Sequence, residues 1–301
     1  MSMKDALLAL LVVIVWGLNF VVIKIGLHDM PPFLLAGLRF SLVAIPAVFF
    51  VRRPSVPLRW MFAYGIFISF GQFAFLFLAI KMGMPAGIAS LVIQTQAFFT
   101  MILGSLLLTE KLKFHHLVGM LVASVGIGML AKGGMEASEG SSITLSTLLL
   151  TLGAALSWAF GNITNKIIVR NSDISLFSLV VWSALIPIIP FFGCSWIFEG
   201  SGTISESLAV LSGQTILSLI YLALFATVFG YAVWGYLLKK YETWRIAPLS
   251  LLVPIVGIVA ANLILGESLS MLQVAGAVIV LIGLLFNIYG ASVVRMVAVR
   301  S

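Results

Sequence analysis

The chain has 301 residues, of which 61% are hydrophobic and 9% charged, with a mean hydropathy of +1.19. A soluble domain carries about 25% charged residues, so these proportions exclude one and indicate an integral membrane protein. The net charge of +7 comes from basic residues in short loops between apolar runs, a topogenic bias rather than a nucleic-acid footprint, so the expected partner is the lipid bilayer and no nucleic acid.

The first apolar run, 6–25, is about 20 residues, the length that crosses a hydrocarbon core as a helix. It is too long for a signal peptide and has no small-residue cleavage site before Trp16, so it reads as a retained first span. Trp16, Phe20 and Lys24 share one helical face, and Asn19 lies beside it. Nine further segments follow at 32–51, 60–80, 85–108, 115–131, 145–168, 175–198, 214–236, 243–265 and 272–290. The longer connections, 132–144 and 199–213, carry Gly, Ser and Glu and read as exposed loops. Pro187 and Pro190 predict kinks in the seventh segment, and Pro248 and Pro254 predict a kinked or broken ninth.

The chain repeats itself. Trp158 precedes Lys166 as Trp16 precedes Lys24, and Leu108-Thr109-Glu110-Lys111-Leu112 corresponds to Leu265-Gly266-Glu267-Ser268-Leu269. In that register Gly119 and Gly126 match Gly276 and Gly283. Residues 1–131 and 145–301 therefore form two five-span units joined by an external 132–144 loop. Five is odd, so the second unit is inverted, an arrangement typical of secondary transporters. The expected fold is an all-α integral membrane protein of ten transmembrane helices in two inverted five-helix repeats. Small residues at helical spacing (Gly153, Ser157 and Gly161, Ala226 and Gly230, Gly257 and Ala261) read as close helix contacts.

Basic residues set the orientation. With a cytoplasmic N-terminus, the inside loops and ends hold Lys4, Arg52, Arg53, Arg59, Lys111, Lys113, Arg170, Lys239, Lys240, Arg295 and Arg300, and the outside loops hold Lys81 and Lys132. Eleven against two predicts both termini in the cytoplasm, with the 132–144 loop, including Glu136 and Glu139, outside.

Polar residues inside the spans are the candidates for chemistry. Arg39 lies about 10 Å into the second segment at 1.5 Å per residue, and no Asp or Glu shares its depth. A buried Arg needs an anion or dipoles, so Arg39 is either a ligand for a substrate carboxylate or a strut to carbonyls and amides of a neighbour. Lys24 and Lys166 lie near span ends, where they either snorkel or reach substrate. Gln72, Gln94, Gln96, Asn162, Asn165 and Asn262 offer amides able to satisfy a zwitterion or to bond helix to helix. Trp16, Trp158, Trp182, Tyr221, Tyr231, Trp234 and Tyr236 are candidate cavity aromatics, the last two also reading as an interfacial belt. Glu110 and Glu267 sit at helix junctions and suit capping. The substrate-binding candidates are Trp16, Asn19, Lys24, Arg39, Gln72, Gln94, Gln96, Trp158, Asn162 and Tyr231. Cys194 is the single cysteine, so no internal disulfide forms. His28, His115 and His116 lack metal-ligand spacing, and the chain carries no P-loop or nucleophile elbow. No metal, cofactor or ATP requirement is expected.

Taken together, these residues resemble the EamA family of the drug/metabolite transporter superfamily. The likeness is carried by Trp16-Gly17 with Asn19, Leu38-Arg39-Phe40, Glu110 with Gly119 and Gly126, Pro254, and Glu267 with Gly276 and Gly283. It covers the whole chain as two units, and longer blocks at 16–24, 34–40, 83–87 and 241–254 narrow it to exporters of amino-acid metabolites. The resemblance implies ten helices in a bacterial inner membrane and export of metabolites such as O-acetylserine and cysteine. Arg39 has no basic counterpart in the seventh segment, so the two halves do not contribute equally to a site. Two alternatives remain at this point. An exporter of other metabolites or drugs would share the fold, although the small multidrug resistance type relies on an acid in its first span, which this chain lacks. A membrane enzyme acting on lipid-linked substrates would need a catalytic constellation, and the sequence displays none. Energy coupling is either a proton site at a helix end or facilitated efflux.

Overall fold

A computed structural model of the chain describes residues 1–135, 143–171 and 174–298, and these residues are helical with no strand among them. In a bilayer only internally hydrogen-bonded helices or closed barrels satisfy the backbone, and this chain uses helices. Among the described residues eight helices are long and apolar enough to cross a membrane: α1 (Met3–Asp29), α3 (Leu58–Lys81), α4 (Ala86–Leu108), α5 (Phe114–Gly134), α6 (Leu145–Arg170), α7 (Leu176–Glu199), α8 (Gly213–Lys240) and α9 (Pro248–Leu265). Two more apolar stretches are shorter, α2 (Pro32–Ala47) and the Met271–Asn287 part of α10 (Met271–Ala298). The second segment was expected to reach residue 51, but α2 stops at Ala47 and turns just after Pro46. The 199–213 connection, expected as a loop, holds an exposed helix at Ser201–Ala209, set off from α7 by Gly200 at a φ of 83°. The Glu136, Glu139 and Gly140 region of the expected external loop lies outside the described residues.

The outer surface is apolar. Leu121, Leu149, Leu217 and Leu263 are all more than half exposed, which water would not tolerate and lipid does. Lipid tails are as apolar as Leu, so close packing rather than hydrophobic burial holds the helices together. The contacts are reciprocal. α1 packs against α8 and α9, while α6 packs against α3 and α4. α5 and α10 pair through the four glycines flagged in the sequence. A Cβ at Gly119 would meet the Gly283 carbonyl oxygen at 2.7 Å, and one at Gly126 would meet that of Gly276 at 2.7 Å. Only glycine permits two backbones to run this close.

Three irregularities recur in the register that matches Glu110 to Glu267. α3 contains a π-helical stretch at Gly65–Gly71, and α8 contains one at Tyr221–Phe229. α4 is interrupted by a 3₁₀ turn at Ile93–Thr95, and α9 begins with one at Ala247–Leu251, at the break that Pro248 announced. Each of these two helices ends on a left-handed residue, Thr109 at φ 55° and Gly266 at φ 67°. Such wide and tight turns free backbone carbonyls inside the bundle.

Candidate functional site

The freed carbonyls and the in-span polar residues surround one cavity of about 570 Å³. Its walls begin with α1. The Trp16 indole donates Nε1–H to the Ala226 carbonyl in the α8 π-helical stretch at 3.0 Å. That bond fixes the ring beside Tyr231 and Trp234, with ring centroids 5.6 Å and 5.1 Å away. Asn19, one turn further along α1, also lines the cavity, as does Gln72 from α3. Both are buried, and the carbonyl oxygen of each has no hydrogen-bond partner among the described residues.

Arg39 enters from α2 and is 2% exposed. Its Nη2 donates to the Thr227 hydroxyl at 3.0 Å, and its guanidinium lies 4.1 Å from the Phe73 ring centroid and 5.5 Å from that of Phe40. Nε and Nη1 have no partner among the described residues. No carboxylate is among the residues that line the cavity. The strut expected to reach carbonyls or amides is therefore a single hydroxyl and two aromatic faces, and two buried guanidinium nitrogens have no hydrogen bond among the described residues. A chamber of about 20 Å³ beside Arg39 is bounded by Ser69, Ser183, Thr227, Tyr64 and Tyr231.

The opposite wall comes from the broken helices. Gln94 donates its amide to the Ser250 carbonyl at 3.0 Å, so the two 3₁₀ turns meet each other. Asn162 on α6 donates to Gln96 Oε1 at 2.7 Å and to the Thr100 hydroxyl at 3.2 Å. Trp158 and Asn165 complete this side.

Trp16, Asn19, Arg39, Gln72, Gln94, Gln96, Trp158, Asn162 and Tyr231 thus share one cavity, and Lys24 does not. The Lys24 ammonium is 2.6 Å from Glu267 Oε1, and Glu267 also accepts from the Ala86 and Gly87 amides at 2.9 and 3.1 Å, capping α4. Lys166 is likewise 2.6 Å from Glu110, which also accepts from Arg170. Snorkelling is replaced by ion pairing because each Lys meets the junction Glu of the other half of the chain. Asn262 holds the Glu267 carbonyl just past the end of its own helix at 2.9 Å, Trp182 the Val51 carbonyl in the turn after α2 at 2.9 Å and Tyr221 the Val15 carbonyl of α1 at 2.9 Å, so the polar groups of these three serve the scaffold. Ser69, Tyr64, Phe73 and Thr227 were not singled out from the sequence. Their only signal was a hydroxyl or ring in a long apolar run, which is too common to select.

The comparisons with known proteins agree with this architecture. A family model described as the EamA-like transporter family matches residues 3–132 and again 145–289. The chain belongs to the EamA-like transporter family. Among EamA-like relatives, a protein of Salmonella typhimurium named a probable amino-acid metabolite efflux pump is 57% identical, with 98% of each chain covered. One of the same name in Escherichia coli is 56% identical over 96% of each. An uncharacterized transporter of Archaeoglobus fulgidus is 30% identical over 94% of this chain and 98% of its own. One solved crystal structure superposes with a TM-score of 0.66 at 19% identity, covering 98% of this chain and 99% of that one, which shows a shared fold. The protein is accordingly a multi-pass membrane transporter.

Proposed function

We propose that the protein exports small amino-acid metabolites of the O-acetylserine and cysteine type across a bacterial inner membrane by alternating access. It acts as a carrier, not an enzyme. The single observation behind the substrate class is Arg39, a buried cation with two unpartnered nitrogens beside a cavity whose lining includes no carboxylate. A substrate carboxylate supplies the missing anion in a bidentate, charge-assisted contact. The names of the Salmonella and Escherichia relatives support the same class.

Alternating access is read from the repeat. The family matches twice, and the π and 3₁₀ interruptions recur in register. In this reading α1 to α5 and α6 to α10 are two inverted repeats of five spans, 1–131 and 145–301, joined outside by 132–144, with both termini cytoplasmic. α2 and α10 cross despite their short apolar stretches. Exchanging the conformations of the halves then opens the cavity alternately to each side. Reporter fusions after residue 301 and within 132–144 are expected on opposite sides of the membrane.

The direct test is transport by the purified protein. Proteoliposomes loaded with labelled O-acetylserine should lose it faster than protein-free vesicles. Loss at the protein-free rate, with inserted protein verified, would remove the substrate assignment. An imposed pH gradient in the same assay separates proton coupling, which accelerates the flux, from facilitated efflux, which ignores it.

A further inference from the structure

We propose that the cavity holds its substrate in one polarity, carboxylate at Arg39 and ammonium at Asn19 and Gln72, and so selects a free α-amino group over an N-acylated one. This rests on the reading of the protein as an amino-acid metabolite exporter. Asn19 is 8% exposed and Gln72 3%, yet neither amide oxygen has a hydrogen-bond partner among the described residues. A buried oxygen left so is unfavourable and calls for a donor, which water or a ligand can bring. The other unpartnered amide oxygen at the cavity, that of Asn165, lies on α6, the opposite wall.

The placement of the two oxygens fits the polarity. Asn19 is on α1 and Gln72 on α3, and these helices pack against each other. α3 also packs against α2, which carries Arg39, and Phe73, next to Gln72, faces the guanidinium. Acceptor and cation therefore occupy adjoining walls. The chamber of about 20 Å³ beside Arg39 has room for little more than one water molecule or a carboxylate head, so the rest of the substrate stays in the main cavity. With no acid in the lining, the groups there that can receive an ammonium are neutral oxygens and ring faces such as that of Trp16.

Acylating the amine removes its charge and leaves one N–H where the ammonium has three. Moving the same acyl group to the side-chain hydroxyl changes neither. O-acetylserine and N-acetylserine have the same atoms and the same carboxylate, and they differ in this feature. Hydrogen bonds to a charged group are worth about tenfold to hundredfold each, so a preference of at least about a hundredfold is expected.

The experiment is exchange in proteoliposomes loaded with labelled O-acetylserine, with either unlabelled isomer outside, in mildly acidic buffer that slows the acyl shift between them. O-acetylserine should drive release of label, and N-acetylserine should need at least about a hundredfold more. Asn19→Leu and Gln72→Leu should each weaken the O-isomer by about tenfold or more and leave the poor N-isomer unchanged. Equal potency of the isomers on the wild type overturns the polarity while the exporter reading stands. Exchange with neither isomer removes both. A proportional loss of both isomers in the variants gives these amides a packing role and also overturns the proposal.

Discussion

The two ends of the bundle carry the same device and treat it differently. At one end Lys24 meets Glu267, whose side chain is 7% exposed and also caps α4 through the Ala86 and Gly87 amides. At the other, Lys166 and Arg170 meet Glu110, whose side chain is 35% exposed. The cavity follows this asymmetry. Towards Glu267 it ends on the buried Phe20, Leu76 and Ser90, whereas towards Glu110 it reaches the half-buried Asn165, Leu176 and Leu238. The same pair of residue types is thus a sealed strut at one end and a solvent-facing contact at the other. A motif is worth what its surroundings make it.

The largest expected effect breaks the sealed end. Glu267→Gln leaves Lys24 without its anion and weakens the α4 cap. Removing one partner of a buried pair costs about 3–5 kcal/mol, and the partial exposure of Lys24 places this case at the lower end. A thermal melt of the detergent-solubilised protein should show the loss at both low and high salt. A smaller effect is expected at the paired left-handed residues. Gly266→Ala should destabilise by about 1 kcal/mol, because only glycine adopts this conformation without strain. Thr109→Gly should be neutral or stabilise by up to about 1 kcal/mol for the same reason. In one melt series Gly266→Ala should lower the melting temperature and Thr109→Gly should not; a loss from both changes would contradict this reading. The smallest effect is at the open end. Glu110→Gln should cost at most about 1 kcal/mol and lose even that in high salt. A loss at Glu110 as large as that at Glu267 would show the two ends to be energetically alike.

The sequence made some of this legible for physical reasons. A polar residue in an apolar helix is conspicuous, so Asn19, Arg39, Gln72 and Gln96 stood out before any partner was known. Glycines in register are conspicuous too, and the paired Gly119, Gly126, Gly276 and Gly283 were visible as a pattern before their backbones were seen to touch. Partners were not visible. Thr227 is 188 residues from Arg39, and Glu267 is 243 from Lys24. No local pattern encodes such distances, so Lys24 read as a snorkelling or substrate-facing residue. The break in α9 was announced by Pro248, whereas the π-helical stretches in α3 and α8 have no proline and gave no warning.

The central claim is that Arg39 receives the substrate carboxylate. Its most direct measurement is O-acetylserine transport by Arg39→Gln and Arg39→Lys in proteoliposomes at matched amounts of folded, inserted protein. A loss of about a hundredfold or more is expected for Arg39→Gln. For Arg39→Lys, which keeps the charge and loses the fork, weakened apparent affinity with transport retained is expected. Wild-type transport by Arg39→Gln at normal protein levels would contradict a carboxylate-binding role for Arg39.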